Sequence, residues 1–287
     1  MSAREGSAPI LLIPGMAVYA TLFVAPMALL LVESLHEFTP GRVGSVAGAA
    51  WTFDNYAELF HPSFLRFFLQ TLGISLSATL VGIAVAFPIS YQIACRLSPR
   101  LRVVAIVSLA AFMLLSIIVK TYALELSFGA VSPLNPVLHA VGISTSSRIY
   151  IQALVAAGLL QFIIPIATLT LVGTHQNIDR HLVEAAQALG APAWRAHLSI
   201  TLPLAMPGVL SAALLAFSFG VSAFVIPMIL GKGRVQFLSN LIYNRFSEVA
   251  NYPGGASISI VTLLVSLSLV FLLVRLITMV RRHGELR

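Results

Sequence analysis

Long apolar runs separated by short polar connectors dominate this chain. A membrane core about 30 Å thick is crossed by roughly twenty apolar residues in a helix. Six stretches meet this requirement, and together they predict an all-α integral membrane protein with six transmembrane helices in one domain, 1–287. The predicted spans are residues 10–32, 67–94, 103–121, 149–172, 204–230 and 256–280.

The composition supports this assignment. Hydrophobic residues make up 58% of the 287 positions and charged residues 9%, with a mean hydropathy of +0.94. A soluble domain carries roughly a quarter charged residues. The net charge of +7 would suit nucleic acid, but the basic residues lie in connectors beside apolar spans. Membrane proteins collect positive charge there, so a lipid bilayer is expected as partner and nucleic acid is not.

The basic residues of the connectors predict the orientation, because cytoplasmic connectors carry the excess of Lys and Arg. With the N-terminus inside, the inner set is Arg4, Arg96, Arg100, Arg102, Arg180, Arg195, Arg281, Arg282 and Arg287. The smaller outer set is Arg42, Arg148, Lys232, Arg234 and Arg245. At span edges, where long side chains can snorkel toward water, lie Arg66, Lys120 and Arg275. Both termini are therefore expected in the cytoplasm.

Two spans carry small residues at every fourth position, which places them on one helix face. Small faces let helix backbones approach closely in lipid. Packing inside the subunit is the favoured interpretation, and contact with a second subunit is the alternative. The two faces consist of Ala78, Gly82, Ala86 and Ser90, and of Ala212, Ala216 and Gly220.

The connector over 173–203 is too polar to cross the membrane, yet it has apolar residues at helical spacing. Asp179 is suited to cap a helix that runs to Leu189. Gly190 fits the left-handed position that follows a helix, and Pro192 can open the next one. The connector therefore predicts a helix, a sharp turn and a second helix outside the membrane.

The first of these helices has an apolar stripe. Leu182, Ala185 or Ala186, and Leu189 fall on one side by the three-and-four spacing. Two interpretations are equally compatible with the pattern. The stripe lies in a groove of a partner protein, or it folds back on the ends of this chain's own spans.

The same connector resembles a known motif. Glu184-Ala185-Ala186, then Gly190, then Ile200-Thr201-Leu202-Pro203 match the EAA loop at every fixed position and spacing. This loop marks the membrane subunits of binding-protein-dependent ABC importers. Outside the loop, the stretches similar to spermidine/putrescine-type permeases are "FDNYAELF", "IVKTYA", "PLNPVL" and "GGASISI".

The resemblance implies the type I ABC importer permease fold in a bacterial inner membrane. It implies three kinds of partner: a second permease, which is a non-identical sister, two ATPase subunits and a periplasmic substrate-binding protein. ATP and Mg would bind in the ATPase dimer, and this chain would hold no cofactor. The residues that would couple it to the ATPase are Glu184, Ala185, Ala186, Leu189 and Gly190.

Motifs for catalysis are not found in the sequence. It has no G-x-x-x-x-G-K-[ST] phosphate loop, no H-E-x-x-H and no G-x-S-x-G. The chain is therefore expected to be a transport subunit and not an enzyme. His175, His181 and His197 fall in the polar connector without accompanying Cys or carboxylate ligands, so we expect solvated histidines and no metal site.

Glu125 is the candidate for substrate contact, because charged residues near a membrane interior are costly and often functional. It can pair with a cationic amine, and Tyr122 can add a cation–π contact. The alternatives are an ion pair with Lys120 or plain solvent exposure. The resemblance places Phe162, Phe219 and Phe224 in spans that line the pathway, where packing is favoured over substrate contact.

The preferred function is a permease for a small cationic solute such as spermidine or putrescine. Within the same importer class, aminoalkylphosphonates, opine-like compounds and other small organic solutes are alternatives. A membrane-embedded enzyme would need a polar catalytic cluster at membrane depth. An ion-coupled carrier would need acidic residues in mid-span, and the predicted spans are nearly free of them.

Overall fold

The computed structural model describes residues 8–41, 44, 49–130, 132–179 and 181–284, without the side chains of 8–13, 273 and 276–284. These residues are largely helical, and one isolated pair, His36 and Trp51, forms an antiparallel bridge. Their α-helices are α1 Ala8–Tyr19, α2 Ala25–Ser34, α3 Asp54–Glu58, α4 Pro62–Tyr91, α5 Pro99–Leu114, α6 Ile117–Phe128, α7 Asn135–Ala140, α8 Arg148–Gln176, α9 His181–Ala188, α10 Ala193–Ala196, α11 Leu202–Ser222, α12 Val225–Leu230, α13 Leu238–Tyr243 and α14 Tyr252–Gly284.

The long apolar helices confirm the predicted class, an all-α membrane protein. A sixth span is possible if the bent pair α5 and α6 crosses the membrane as one unit. The prediction that both termini are cytoplasmic stays a prediction, and Arg4, Arg42, Arg180 and Arg287 lie outside the described residues. Five helical stretches are long and apolar enough to cross a bilayer: Pro14–Ser34, Pro62–Arg96, Arg148–Gln176, Ala193–Ser222 and Tyr252–Leu272.

The predicted span over 103–121 is not a single helix. Helices α5 and α6 meet at an angle of 88°, with an extended backbone at Leu115 and Ser116. Lys120 is only 8% exposed. Its Nζ donates to the Phe112 carbonyl at 3.3 Å, in the last turn of α5. A cation at this position neutralises the negative partial charge of the free carbonyls at a helix C-terminus. Lys120 therefore stabilises the bend and does not snorkel toward water.

The predicted span over 204–230 is also not a single helix. Helix α11 ends at Ser222, and α12 begins only at Val225. Carbonyls at the break accept hydrogen bonds from side chains of α13. Ser239 Oγ donates to the Ala223 oxygen at 2.6 Å, and Asn240 Nδ2 donates to the Phe224 oxygen at 3.0 Å. These contacts replace the lost helical hydrogen bonds, which would be costly to leave unmade in a membrane.

Contacts divide the chain into two units. The first comprises the described parts of Met1–Leu65 and Leu241–Val265, and the second comprises Arg66–Asn240 with the described part of Ser266–Arg287. In the first, the guanidinium of Arg245 lies 2.7 Å from a carboxylate oxygen of Glu58. The second contains every candidate site residue. The assignment of the chain to one domain stays a prediction.

Helix α8 is the centre of the second unit, where it packs against α4 and α11. Ala86 and Ala212 are fully buried together with Ala167 and Leu171 of α8. A side chain at Gly82 would overlap Ile163 of α8. The small faces of the second and fifth predicted spans therefore pack inside this chain, which confirms the favoured interpretation.

Candidate functional site

Helix α9 has the start and the end that the sequence predicts. Asp179 Oδ1 accepts a hydrogen bond from the His181 amide at 3.0 Å, which satisfies a free donor at the helix start. At the other end Gly190 has φ +90°. The amides of Gly190 and Ala191 donate to carbonyls of the last turn at 2.9 and 3.1 Å, the pattern of a Schellman motif.

The second predicted helix follows this turn, but it is not a separate element. Helix α10 begins after Pro192 and continues through a π-helical turn, His197–Thr201, into α11. One helical stretch therefore runs over Ala193–Ser222. The predicted second helix of the connector over 173–203 is therefore continuous with the next long apolar helix, and α9 is joined to it through one tight turn.

The apolar stripe of α9 faces outward. Leu182 and Ala185 are exposed, Ala186 is partly exposed, and the Leu189 side chain is 90% exposed. Val183 is the buried residue of this helix. The interpretation that the stripe folds back on this chain's own spans is therefore wrong for this structure. Glu184 is also exposed, and its carboxylate lies 3.3 Å from His181 Nδ1.

Val183 anchors α9 on the ends of three spanning elements. It lines a small cavity with Tyr91 at the end of α4, His175 at the end of α8 and Thr201 in the π-helical turn before α11. Since burying a valine stabilises its contact by about 1.5–3 kcal/mol, this side chain fixes α9 to the spans. One face of α9 is therefore exposed, and the opposite face is attached to the spans through Val183.

One histidine, His175, supports this anchoring, contrary to expectation. His175 is 1% exposed, so the prediction that it is solvated is wrong. Its Nδ1 lies 3.1 Å from Ser90 Oγ, and its ring meets the rings of Phe87 and Tyr91 edge to face. In the described part of the chain, no group of three His, Cys, Asp or Glu residues is placed to hold a metal ion.

Glu125 lies at the opposite end of α8. Near the start of that helix, Tyr150 donates to the carbonyl of Phe128, the last residue of α6. One oxygen of Glu125 lies 2.6 Å from Lys232 Nζ, so the predicted alternatives of an ion pair with Lys120 and of plain exposure are both wrong. Its second oxygen, Oε2, is buried without a hydrogen-bond partner among the described residues.

Sequence reasoning missed Lys232, which it counted only as an outer connector charge. A signal was present, because the residue stands between Gly231 and Gly233, where a tight turn brings a side chain back toward the spans. Lys232 itself has φ +49°. The Tyr122 ring, on the same helix as Glu125, is about half exposed.

The pathway aromatics are brought together only in part. Phe162 of α8 and Phe219 of α11 stack with ring centroids 3.8 Å apart. The Lys120 ammonium lies 5.8 Å from the Phe162 ring centroid, within cation–π range. Phe224 is at the break between α11 and α12, where its carbonyl accepts from Asn240. Phe162 and Phe219 therefore join two helices, as the packing interpretation predicts.

The family model described as "Binding-protein-dependent transport system inner membrane component" matches residues 78–283. The chain belongs to this family. The matched residues include α9 and both ends of α8, so these elements belong to the part of the chain that defines the family.

Similar proteins agree with the family. The spermidine/putrescine transport system permease protein PotB of Haemophilus influenzae is 28% identical over 238 residues, 82% of this chain and 82% of that protein. PotB of Escherichia coli K12 is 28% identical over 224 residues, 77% and 81% of the two chains.

A solved structure is similar in fold. A bacterial alginate ABC transporter, in complex with an alginate pentasaccharide-bound periplasmic protein, has a chain that aligns with a TM-score of 0.72. It is 18% identical, and the alignment covers 92% of this chain and 91% of that chain. The expected ABC permease fold is confirmed.

Proposed function

We propose that this chain is the membrane permease of an ATP-driven importer for a small cationic solute of the polyamine kind. The observation that carries the proposal is the orientation of α9. Its apolar residues Leu182, Ala185 and Leu189 face outward while Val183 holds the helix to the spans. An uncovered apolar stripe on a short, anchored helix suits a groove in a partner protein.

The partner at this groove is an ATPase subunit. Residues Glu184, Ala185, Ala186, Leu189 and Gly190 stand in the EAA positions, and the first four present side chains along α9 and its turn. Because α9 contacts the ends of α4, α8 and the turn before α11 through Val183, a displacement of α9 reaches all three. Closure of an ATPase dimer around ATP and Mg would thus move the spans between inward and outward access.

The other partners follow from the same family. A sister permease completes the pathway, and a periplasmic protein delivers the solute; the alginate transporter was solved with such a periplasmic protein. The sequence holds no phosphate loop of its own, so ATP hydrolysis belongs to the ATPase subunits in the bacterial inner membrane assembly.

The solute class rests on Glu125 and on the relatives. Both PotB proteins are named for spermidine and putrescine transport. Glu125 is a carboxylate at the end of α8 distant from α9, and its Oε2 atom has no partner among the described residues. A carboxylate in this position suits an ammonium group of the solute. Other small organic solutes with an amino group are the alternative.

The test compares two charge insertions on α9. Leu189→Glu places a charge in the exposed stripe, whereas Gln187→Glu adds the same charge about 200° away around the helix. Each variant is purified in mild detergent with its ATPase and sister permease, and the amount of copurified ATPase is measured by mass spectrometry.

Leu189→Glu is expected to lose most of the ATPase, because a charge cannot enter an apolar groove without a large desolvation cost. Gln187→Glu is expected to retain it. If both variants retain the wild-type amount of ATPase, α9 is not the docking helix. Uptake of radiolabelled putrescine by the wild-type assembly in proteoliposomes tests the solute class separately.

A further inference from the structure

The contact between Glu125 and Lys232 joins two connectors at the end of the bundle opposite to α9. Glu125 is on the last turns of α6, and Lys232 is in the turn after α12. Their side chains are 18% and 35% exposed, so the pair is neither fully buried nor freely solvated. At 2.6 Å the ammonium forms a charge-assisted hydrogen bond with Oε1.

The charges of the second unit make this pair distinctive. Three acidic residues occur among its described residues, and two of them belong to the α9 region: Asp179 caps the helix and Glu184 is in its first turn. Glu125 is thus the carboxylate at the opposite end of α8. The whole chain contains only two lysines, and the other, Lys120, donates to the Phe112 carbonyl. Glu125 is therefore bound by a primary ammonium group.

The carboxylate is only half used by this partner. Its Oε2 atom is buried and accepts no hydrogen bond from the described residues. A carboxylate offers about four acceptor positions, and an ammonium carries three donors. Lys232 therefore occupies Oε1, the oxygen of the partly exposed contact, which is also the position that an ammonium group from the solvent would need.

The ammonium group of Lys232 can move away from Glu125. Its ammonium is on a flexible four-carbon stem, and about a third of the side chain is in contact with solvent. The neighbouring Arg234 donates to the Ser146 carbonyl instead and does not reach Glu125. In this turn Lys232 therefore contacts the Glu125 carboxylate, whereas Arg234 does not.

We infer that Lys232 is a tethered competitor, which occupies the ammonium subsite of Glu125 until an ammonium group of the solute displaces it. The inference rests on the proposed function, in which the solute is a small organic cation. In the empty state the lysine neutralises a carboxylate that is costly to leave unpaired. In the loaded state an ammonium group of the solute takes the position of Lys232 at Oε1, and the lysine side chain moves into the solvent.

The test uses equilibrium binding of radiolabelled putrescine to the purified assembly of this chain with its sister permease and ATPase, in nanodiscs. Lys232→Met keeps the stem and removes the competing charge. It is expected to tighten putrescine binding roughly fivefold, the range of a partly exposed ion pair. Arg234→Met removes a positive charge from the same turn without touching Glu125, and it is expected to leave the dissociation constant unchanged.

Two further variants define the outcome. Glu125→Gln is expected to weaken putrescine binding, and the double variant Glu125→Gln, Lys232→Met is expected to bind no more tightly than Glu125→Gln alone. Thermal unfolding of each assembly shows whether it is folded. Unchanged or weaker binding in Lys232→Met would overturn the inference and identify the pair as a structural latch.

The two proposals fail in different ways. If wild type binds and transports putrescine but Lys232→Met binds it no better, only the competitor role is lost. If wild type transports a solute without an amino group and binds no putrescine, the proposed solute class is wrong and the competitor role is wrong with it. Equal tightening by Arg234→Met would show a general charge effect and also overturn the inference.

Discussion

The two ends of α8 are built in different ways. At one end, α9 is formed by residues adjacent in sequence, with a cap at Asp179 and a glycine turn at Gly190. Its apolar stripe is exposed. At the other end, Glu125 meets Lys232, a residue from a distant connector, and the contact is partly buried. The first end exposes its apolar residues, whereas the second holds a charge pair within the chain.

The middle of α8 can transmit a displacement from one end of the helix to the other. A helix of 29 residues is about 44 Å long at 1.5 Å per residue. Along it, small residues such as Gly82 and Ala212 let α4 and α11 approach closely, so there is little space for independent sliding. A displacement at the α9 end is therefore expected to reach the Glu125 end through closely packed helices.

The largest effect is expected from breaking the turn at the α9 end. Gly190→Pro fixes φ at about −65° where the backbone has φ +90°, and it removes an amide that donates to the Gln187 carbonyl. Putrescine uptake should fall to background while the protein still inserts in the membrane.

The control for this turn is Gly190→Asn, because asparagine tolerates the left-handed conformation better than other side chains. The added side chain has open space, since nothing lies within 4 Å of a Cβ built at Gly190. It should retain most of the uptake. Normal uptake by Gly190→Pro would contradict the view that the turn transmits motion.

A smaller effect is expected in the packed middle. In Gly208→Ala the new methyl group overlaps the side chain of Thr174 on α8, which is β-branched and cannot simply swing away. Overpacking of this kind costs about 1–3 kcal/mol, so Tm in detergent should fall. Gly173→Ala, on the open side of α8, should leave Tm unchanged or slightly higher. Equal Tm values for the two variants would argue against tight contact of α8 with α11.

The smallest effect is expected from the exposed pair of α9. His181→Ala removes the partner of Glu184, but both side chains are largely in water, where such pairs contribute about 0–1 kcal/mol. Neither Tm nor the amount of copurified ATPase should change. Glu184→Lys, by contrast, should reduce the copurified ATPase, because it reverses a charge at an EAA position. A large loss of Tm in His181→Ala would mean that the pair is part of the fold.

The Glu125 end illustrates the limits of sequence reasoning. The sequence singles out Glu125 as a charge near the membrane interior, and one of its alternatives pairs Glu125 with Lys120. Lys120 is close in sequence but is not the ion-pair partner in the structure. Residues five apart on a helix lie about 140° apart around its axis, so Lys120 points elsewhere and caps α5. The true partner, Lys232, comes from a connector that follows another helix.

The sequence by itself determined the membrane class, the helix–turn at 179–190 and the family. Apolar length, a capping carboxylate, a left-handed glycine and the EAA spacing are local properties, and each acts within a few residues. The tertiary structure decided the breaks at 115–116 and 223–224, the burial of His175 and the ion pair of Glu125. These depend on side chains that reach backbone or charge partners from distant helices, as Ser239 and Asn240 do, and no local pattern marks such contacts.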